Sequence, residues 1–376
     1  MMTVWVILFW ASVALLLYTQ LAYGFVLELL VRVVHPLRRV ELPLQLPTVS
    51  VIVPAYAEES VIAARIANIR ALDYPPQALE LIVVCDGSPD ATAERARSAG
   101  ADLVLELPRS GKVRAQNAAV AAASGELLAF SDANSQWEPG ALRELVAAFA
   151  EPKVGYVCGT VVLINEAGSN QEGVYWRYEM RLRTLESRLR SVTAGNGAIY
   201  AVRPQAYLEG DGIMGHDLGF PFQLVKRGWL ALYAPDARAV EKMAPSIEGE
   251  FKRKRRMSSQ AWRTTVRCGM LSPAGYGPLY ALMIFSHRLL RYLTPFMHVI
   301  ALVTSVLLLG HGWVYAVALG AQMALIAAAV LAPLLRARVL LIARYYVATT
   351  MSIAFGLFDW LIHGAPATWD AVGGTR

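Results

Sequence analysis

The feature that most restricts the fold of this chain is a long apolar stretch near its start. From Val4 to Val31 the sequence contains one charged residue, Glu28. This stretch exceeds the roughly 20 residues that an α-helix needs to cross a bilayer. It has no preceding basic segment and no small-residue cleavage pattern, so we interpret it as a retained transmembrane helix. The basic cluster from Arg32 to Arg39 predicts that the following domain faces the cytoplasm.

Apolar segments return in the last third of the chain. Three of them, about 293–309, 314–335 and 339–363, are predicted to be transmembrane, and the apolar stretch 271–285 either dips into the membrane or lies at its surface. We therefore divide the chain into an N-terminal helix with a basic linker, a globular domain, a pair of basic or amphipathic interfacial helices, and a C-terminal transmembrane bundle. Their predicted bounds are residues 1–40, 41–248, 249–290 and 291–376.

Composition and charge indicate which kinds of molecule the chain is suited to bind. The 376 residues are 56% hydrophobic with a mean hydropathy of +0.40, and the formal net charge is +6. The basic residues gather beside the apolar segments, which favours contact with anionic membrane lipids over nucleic acid. Three cysteines without metal-ligand spacing indicate a reducing compartment. No sequence feature specifies an oligomeric state.

The middle of the chain alternates between strand and helix patterns. Short apolar runs at 49–53, 81–85, 103–105 and 127–130 are predicted strands, and the segments between them have helical composition. This succession predicts a mostly parallel sheet with helices on both faces. Ligands of such sheets bind at the carboxyl ends of the strands. The polar residues that follow the strands are therefore the candidate site.

Three motifs in order carry a resemblance to a known family. They are Val49-Ser50-Val51-Ile52-Val53-Pro54-Ala55-Tyr56, then Asp86 after the second strand, then Ser131-Asp132-Ala133-Asn134 after the fourth. Together they resemble the inverting glycosyltransferases of family 2, from Thr48 to about Arg267. The resemblance implies an α/β GT-A fold, Rossmann-like with a mostly parallel sheet, in a cytoplasmic domain joined to transmembrane and interfacial helices. It also implies a nucleotide-sugar donor, with a UDP-sugar as the first expectation.

The resemblance assigns a donor side to the site. Asp132 and Asn134 take the positions of the family's metal-binding DxD motif, where oxygen ligands suit Mg²⁺ or Mn²⁺. Because the second carboxylate is an amide here, we expect weaker metal binding. Lys112 matches a positive residue near the donor, although a surface lysine at a helix start is the alternative. The donor-binding residues implied are Pro54, Ala55, Tyr56, Glu58, Asp86, Lys112, Asn117, Asp132, Ala133, Asn134, Arg255 and Arg256.

The acceptor side and the catalytic base follow from two later segments. Gly195-Asn196-Gly197 resembles the family's acceptor loop, with a plain turn as the alternative. Asp217, at matching spacing from Gly228-Trp229, is the predicted base that takes the acceptor's proton. The alternative for Asp217 is the N-cap of the following helix. His216 stands where the family has a glutamate and is assigned to the acceptor.

The basic segment from Arg253 to Arg263 resembles the family's QxxRW motif in residue types but not in order. Arg255 and Arg256 are assigned to the donor diphosphate, and Gln260 and Trp262 to the acceptor. A basic amphipathic helix on anionic lipid is an equally weighted alternative. The arginines of the helix predicted from Glu172 are interpreted as a solvated or lipid-facing surface. They are Arg177, Arg181, Arg183, Arg188 and Arg190.

Three functional hypotheses follow. The first is a multi-pass transferase of the inner (cytoplasmic) membrane that adds single sugars to a lipid-linked or polysaccharide acceptor. The second is a processive polysaccharide synthase. The third, from another class, is a non-catalytic nucleotide-binding scaffold or sensor, which the altered DxD and QxxRW motifs favour and the retained Asp86, Asp132 and Asp217 oppose.

Overall fold

The computed structural model describes residues 1–34, 45–164, 174–210, 212, 214–242, 247–335 and 337–365. Of the predicted basic cluster, the part beyond residue 34 lies outside these ranges. The chain forms two compact units. One contains most of the apolar helices, and the other is the globular unit, which runs from Leu27 to Pro245 and includes residues 267–281.

The globular unit is built on one eight-stranded sheet. The first and fourth strands in the chain are fully buried and the second almost fully, as expected where helices cover both faces of a parallel sheet. The strands are β1 (Val49–Ala55), β2 (Leu79–Asp86), β3 (Leu103–Leu107), β4 (Leu127–Ser131), β5 (Gln136–Trp137), β6 (Val154–Ile164), β7 (Ile199–Val202) and β8 (Leu230–Lys242). Their order across the sheet is β3-β2-β1-β4-β7-β6-β8-β5.

Parallel pairing brings the candidate site residues to one edge of this sheet. Strand β1 lies between β2 and β4 and is parallel to both, with Ala55 opposite Cys85 and Ile52 opposite Phe130. The carboxyl ends of β1, β2 and β4 therefore lie side by side, and the residues that follow them share that edge. Strand β7 runs antiparallel between β4 and β6 and brings the preceding glycine segment to the same region.

Helices cover the sheet and connect its strands. In the globular unit they are α3 (Ile62–Arg70), α4 (Thr92–Ser98), α5 (Lys112–Ala122), α6 (Ala141–Ala147), α7 (Val174–Leu189) and α8 (His216–Lys226). Two apolar cores form, one on each face of the sheet. The predicted parallel sheet with helices on both faces is confirmed.

The helical unit begins with α1 (Met2–Leu17), which a π-helical turn joins to α2 (Tyr23–Val33). From Leu27 onward α2 belongs to the globular unit. Later come α9 (Ile247–Arg267), α10 (Pro278–Met283), α11 (Leu290–Leu307), α12 (Trp313–Leu335) and α13 (Arg338–His363). Within the described residues, four helical stretches are long and apolar enough to cross a membrane. They are Met2–Val33, Pro278–Leu307, Trp313–Leu335 and Arg338–His363.

The second of these stretches begins earlier than the sequence predicts. A π-helical turn, Ile284–Leu289, joins α10 to α11 without a break. Two polar residues of this turn make contacts inside the helical unit. Ser286 Oγ shares a hydrogen bond of 2.8 Å with the Tyr18 hydroxyl, and the His287 ring lies against the Tyr23 ring. Because these groups have partners, the polar interruption at His287 does not end the helix.

Helix α9 is basic and packs within the helical unit on α13. The Arg255 guanidinium makes a two-pronged ion pair with Asp359, at 2.6 Å for both nitrogens. The Trp262 indole donates to the Ile353 carbonyl at 2.9 Å. Close approach of the two helices depends on Gly356, because a Cβ there would meet backbone atoms of Ser258 and Ser259 at 2.9 Å. The contact thus requires the smallest residue at that position.

We expect Gly356→Ala to destabilise the helical unit by about 1–3 kcal/mol, because an added methyl group overpacks the contact between α9 and α13. The matched control is Gly320→Ala in α12, where nothing lies within 4 Å of the added Cβ. Thermal unfolding of both variants in detergent measures the difference. Equal melting temperatures for the two variants would show that α9 and α13 do not pack as described.

Candidate active site

The carboxylate at the end of β2 organises the loop before α5. Asp86 is fully buried, and it accepts hydrogen bonds from the Ser110 N–H at 2.6 Å and the Gly111 N–H at 2.9 Å. The Ser110 hydroxyl lies at 3.1 Å. Gly111 has φ +98°, which a residue with a side chain rarely adopts. Asp86 therefore fixes the position at which α5 begins, and its contact with a donor stays a prediction.

The same loop stacks on the residue that follows β1. The Arg109 guanidinium lies 3.1 Å from the centre of the Tyr56 ring and 3.7 Å from Asp86 Oδ2. Gly87 permits this approach, since a Cβ there would lie 2.7 Å from the Arg109 backbone nitrogen. A planar cation over an aromatic ring forms a flat surface of the kind on which a nucleotide base stacks. In the sequence, Arg109 opens the segment Arg109-Ser110-Gly111-Lys112 that resembles the family, but only Lys112 of this segment was assigned a role.

The other residues assigned around β1 have structural contacts. Pro54 and Ala55 are buried inside the strand. The Glu58 N–H donates to Thr92 Oγ1 at 2.9 Å, and the side chain is 8% exposed. These residues set the path of the chain toward Tyr56, and their direct contact with a donor stays a prediction.

An ion pair joins the start of α5 to the end of β4. Lys112 Nζ bonds to the Asp132 carboxylate, and the two side chains are 27% and 32% exposed. Burial opposes the charge of Lys112, but the carboxylates of Asp132 and, to a smaller degree, Asp217 outweigh it and hold the pKa of Lys112 above its ordinary value. Lys112 is thus a fixed cation at the carboxyl edge of the sheet. This environment differs from that of the solvated surface lysine in the alternative interpretation, because the Lys112 ammonium is paired with the Asp132 carboxylate.

A buried polar network holds the segment after Asp132. Arg65 of α3 is fully buried, bonds to Asn68 Oδ1 and lies 5.0 Å from the centre of the Trp137 ring. Asn68 exchanges two hydrogen bonds of 2.9 Å with the Trp137 backbone. The Trp137 indole in turn donates to the Ala198 carbonyl at 3.0 Å. The segment from Ala133, which is buried, to β5 is therefore clamped between α3 and β7.

Arg65 also acts through its charge. Burial lowers the pKa of Arg65 to about 9, and the negative charges of Asp132 and Glu241 oppose that shift. Arg65 was not among the site residues predicted from the sequence. Arg65 comes three residues after Ile62 and four residues before Ile69, which places it on the apolar face of α3. A charged residue at such a position is the sequence pattern that identifies it.

The residues assigned to a metal provide limited ligation. Asp132 offers one carboxylate and Asn134 one amide, and both side chains are partly exposed. No group of three or more histidine, cysteine, aspartate or glutamate side chains that could hold an ion occurs within the described ranges. This donor set fits Mg²⁺ or Mn²⁺ that is bound through one or two protein ligands together with substrate phosphates and water.

The glycine segment before β7 connects Lys112 to the predicted base. The Gly195 N–H donates to the Asp217 carbonyl at 2.6 Å, and Gly197 lies close to Lys112 Nζ. A Cβ at Gly195 would collide with the Tyr156 hydroxyl. Asn196 accepts a bond from the Ile199 N–H at 2.9 Å, so the segment is a turn braced by its own side chain. The turn interpretation is compatible with the acceptor assignment, which stays a prediction.

Asp217 lies in the first turn of α8 rather than at its cap. The N-cap residue is Gly215, and no side chain makes a capping hydrogen bond. Asp217 is half-buried, and its carboxylate is near enough to Lys112 to raise the pKa of that lysine. The capping alternative is therefore wrong for this residue. Its assignment as the base stays a prediction.

His216 lies beside Asp217 in a buried aromatic cluster. It stacks on Phe220 at 4.0 Å between ring centres, and its Nδ1 lies 2.6 Å from the Tyr200 hydroxyl. Gln116 Nε2, which can only donate, lies 3.1 Å from the same hydroxyl. The Tyr200 hydroxyl and His216 Nδ1 therefore share a buried hydrogen bond, in which the donor depends on the tautomer of the ring. Burial, with a smaller contribution from Lys112, lowers the pKa of His216 to about 3.

The remaining assigned residues make contacts elsewhere. The Asn117 side chain accepts from the Tyr207 hydroxyl at 2.7 Å and donates to the Gly210 carbonyl at 3.3 Å, so it ties α5 to the segment after β7. Arg255, Arg256, Gln260 and Trp262 all lie on α9, in the helical unit. Arg255 and Trp262 are engaged there with α13. Their assignments to donor and acceptor stay predictions.

Comparison with known proteins adds a family and a fold. Residues 50–208 match the family described as Glycosyl transferase family 2. An N-acetylglucosaminyltransferase of Rhizobium meliloti is 26% identical over 243 residues, which are 58% of this chain and 57% of that protein. A β-monoglucosyldiacylglycerol synthase of Trichormus variabilis is 32% identical over 167 residues, 41% of this chain and 34% of that protein. The matches thus span between about a third and somewhat over half of these relatives.

Among solved structures, the mannosyltransferase PcManGT of Pyrobaculum calidifontis, determined with GDP-Man and Mn²⁺, has a TM-score of 0.72. The superposition covers 94% of this chain and 99% of that one, at 22% sequence identity. The likeness confirms the predicted GT-A fold.

We expect Asp86→Asn to lower the stability of the protein by about 1–3 kcal/mol, because the amide has one acceptor oxygen and no negative charge, and its NH₂ group replaces an oxygen that accepts from the loop's N–H groups. The Km for the donor should also rise, since the loop carries Arg109 and Lys112. Thermal unfolding and donor titration measure the two effects. The control is Asp73→Asn, which removes an exposed partner of Arg143 and should change little. Similar behaviour of the two variants would contradict the role of Asp86.

His216 makes stability depend on pH. The unfolded chain protonates this residue near pH 6.5, whereas the folded chain resists protonation down to about pH 3. Its contribution is therefore fully present above pH 6.5 and is lost as the pH falls, by roughly 1.4 kcal/mol per unit. We expect His216→Asn to flatten the fall in melting temperature between pH 7.5 and 5, while the exposed-site variant His311→Asn keeps it. An unchanged slope in His216→Asn would contradict this account.

Proposed function

We propose that this chain, whose residues 50–208 match glycosyl transferase family 2, is an inverting glycosyltransferase with a nucleotide-sugar donor. In this proposal it transfers single sugars from a UDP-sugar to a lipid-linked acceptor at the cytoplasmic face of the inner membrane. The observation that carries the proposal is the assembly of Lys112, Asp132 and Asp217 at one edge of the sheet. The ion pair of the first two and the electrostatic effect of the third on Lys112 support it.

The donor is proposed to lie with its base near Tyr56 and Arg109 and its diphosphate near Lys112. The Asp86 carboxylate keeps this loop in place. Asp132 and Asn134 would hold Mg²⁺ or Mn²⁺, which supplies charge stabilisation for the leaving nucleoside diphosphate when it is bound. The Mn²⁺ in PcManGT agrees with a divalent ion in this fold. Lys112 adds a second positive charge that needs no ion.

Asp217 is proposed as the general base. Its carboxylate takes the proton of the acceptor hydroxyl while that oxygen forms a bond to the anomeric carbon. The bond from that carbon to the diphosphate oxygen breaks, and the electron pair leaves with the nucleoside diphosphate. Attack from the side opposite to the leaving group inverts the anomeric centre. The bond from the Gly195 N–H to the Asp217 carbonyl would keep the base and the acceptor loop in register.

A membrane acceptor is supported by the apolar helices and by one relative. Four helical stretches in the described residues are long and apolar enough to cross a membrane, which supports a transferase domain carried on a membrane-associated chain. The relative named β-monoglucosyldiacylglycerol synthase has a lipid product by its name. A lipid-linked acceptor would reach such a domain by diffusion in the bilayer.

We expect Asp217→Asn to lower transfer by about 100-fold or more while donor binding persists, because an amide cannot accept the proton. The assay uses purified protein in a membrane mimetic with UDP- and GDP-sugars, lipid acceptors and Mn²⁺ or Mg²⁺. Glu144→Gln, an exposed position on α6, is the control. A scaffold would show no turnover in wild type or variant. Products longer than one added sugar would instead support a processive synthase.

A further inference from the structure

A cavity lies between the end of α2 and α7, and none of its lining residues is among those assigned to sugar transfer. Its volume is about 630 Å³, within the range of ligand pockets in proteins. All of its lining residues belong to the globular unit. They are Glu28, Val31, Arg32, Arg181, Thr184, Leu185 and Arg188.

Helical spacing places the basic residues of this cavity together. On α7, Arg181, Leu185 and Arg188 are at positions i, i+4 and i+7 and share one face. On α2, Glu28 and Arg32 are at i and i+4. The two faces meet at the cavity, so residues more than 140 positions apart in the chain form one basic surface.

The charges of the cavity are unbalanced. Arg181 pairs with Glu28, which holds that guanidinium in place. Arg32 and Arg188 are exposed, and neither has a carboxylate partner within the described part of the chain. Three guanidinium groups thus share one carboxylate. Guanidinium groups that converge in this way match the oxygens of a phosphate, to which they can donate two hydrogen bonds each.

The position of the cavity indicates an amphiphilic anion. Helix α2 ends the stretch Met2–Val33, which is long and apolar enough to cross a membrane. Leu29, three residues before Arg32 on the same side of the helix, is 44% exposed. Val31 and Leu185 supply apolar lining. A molecule with a phosphate and an acyl chain matches this succession from basic to apolar surface.

We propose that this cavity binds the phosphate headgroup of an anionic phospholipid. The site is separate from the residues assigned to sugar transfer, and the proposal does not depend on the donor, the acceptor or the reaction. It also narrows the interpretation of Arg181 and Arg188 as a general solvated or lipid-facing surface, because both line a defined cavity in which Arg181 pairs with Glu28.

The test measures lipid binding by the full-length protein in uncharged detergent, with no sugar nucleotide present. Phosphatidylglycerol is titrated into the micelles, and bound lipid is counted by native mass spectrometry. We expect one phosphatidylglycerol to bind preferentially over phosphatidylcholine. Arg188→Gln and Arg32→Gln should each weaken binding about tenfold, the effect of losing one charge-assisted contact. Arg188→Lys should retain most of the affinity.

Arg190→Gln is the matched control, since it removes the same charge two residues further on, from an exposed residue outside the cavity lining. It should change the affinity less than about twofold. Equal losses in Arg188→Gln and Arg190→Gln would reduce the effect to general attraction between a basic protein and anionic lipid, and would overturn the proposal. Equal binding of phosphatidylcholine, or displacement of the lipid by inorganic phosphate at matching concentration, would also overturn it.

Discussion

The contact on which the donor side of the site depends is the one between Asp86 and the loop before α5. A fully buried carboxylate is costly to desolvate, and here the loop's backbone N–H groups compensate for that cost. The bonds determine where α5 begins, and hence where Lys112 lies. The ion pair between Lys112 and Asp132 follows from this placement, as does the stacking of Arg109 on Tyr56. One side chain thus connects β1, β2 and β4 at the edge where they end.

A second buried network gives the acidic segment after β4 its rigidity. Arg65, Asn68 and Trp137 connect α3 with β5, and the Trp137 indole reaches the backbone beside the glycine segment. Movement of Asp132 would therefore disturb buried hydrogen bonds on two sides. Such networks specify one arrangement, because any partly broken state leaves polar groups unpaired in the interior. A site built in this way is positioned before any ligand arrives.

The parallel half of the sheet could be predicted from the sequence because its strands are continuous apolar runs that end at polar residues. The other half of the sheet, which mixes parallel and antiparallel pairs, could not: β7 has four residues, β5 has two, and β8 alternates without a clear boundary. Asp86, Asp132 and Asp217 were found by position relative to motifs. Arg65 was missed, and Arg109 was assigned no role, since the contacts of both residues join segments distant in the chain. The cavity beside Arg188 depends likewise on α2 and α7 meeting.

The electrostatics of the site also favour joint binding of the donor and a divalent ion in the proposed reaction. Asp132 contributes one negative charge, and Lys112 already neutralises it. With an amide at Asn134, the protein alone offers an ion little net attraction. A diphosphate brings both additional oxygen ligands and negative charge, so it completes the coordination that the protein leaves open. In the proposed reaction, the amide of Asn134 would therefore shift affinity for the ion from the empty protein to its complex with donor.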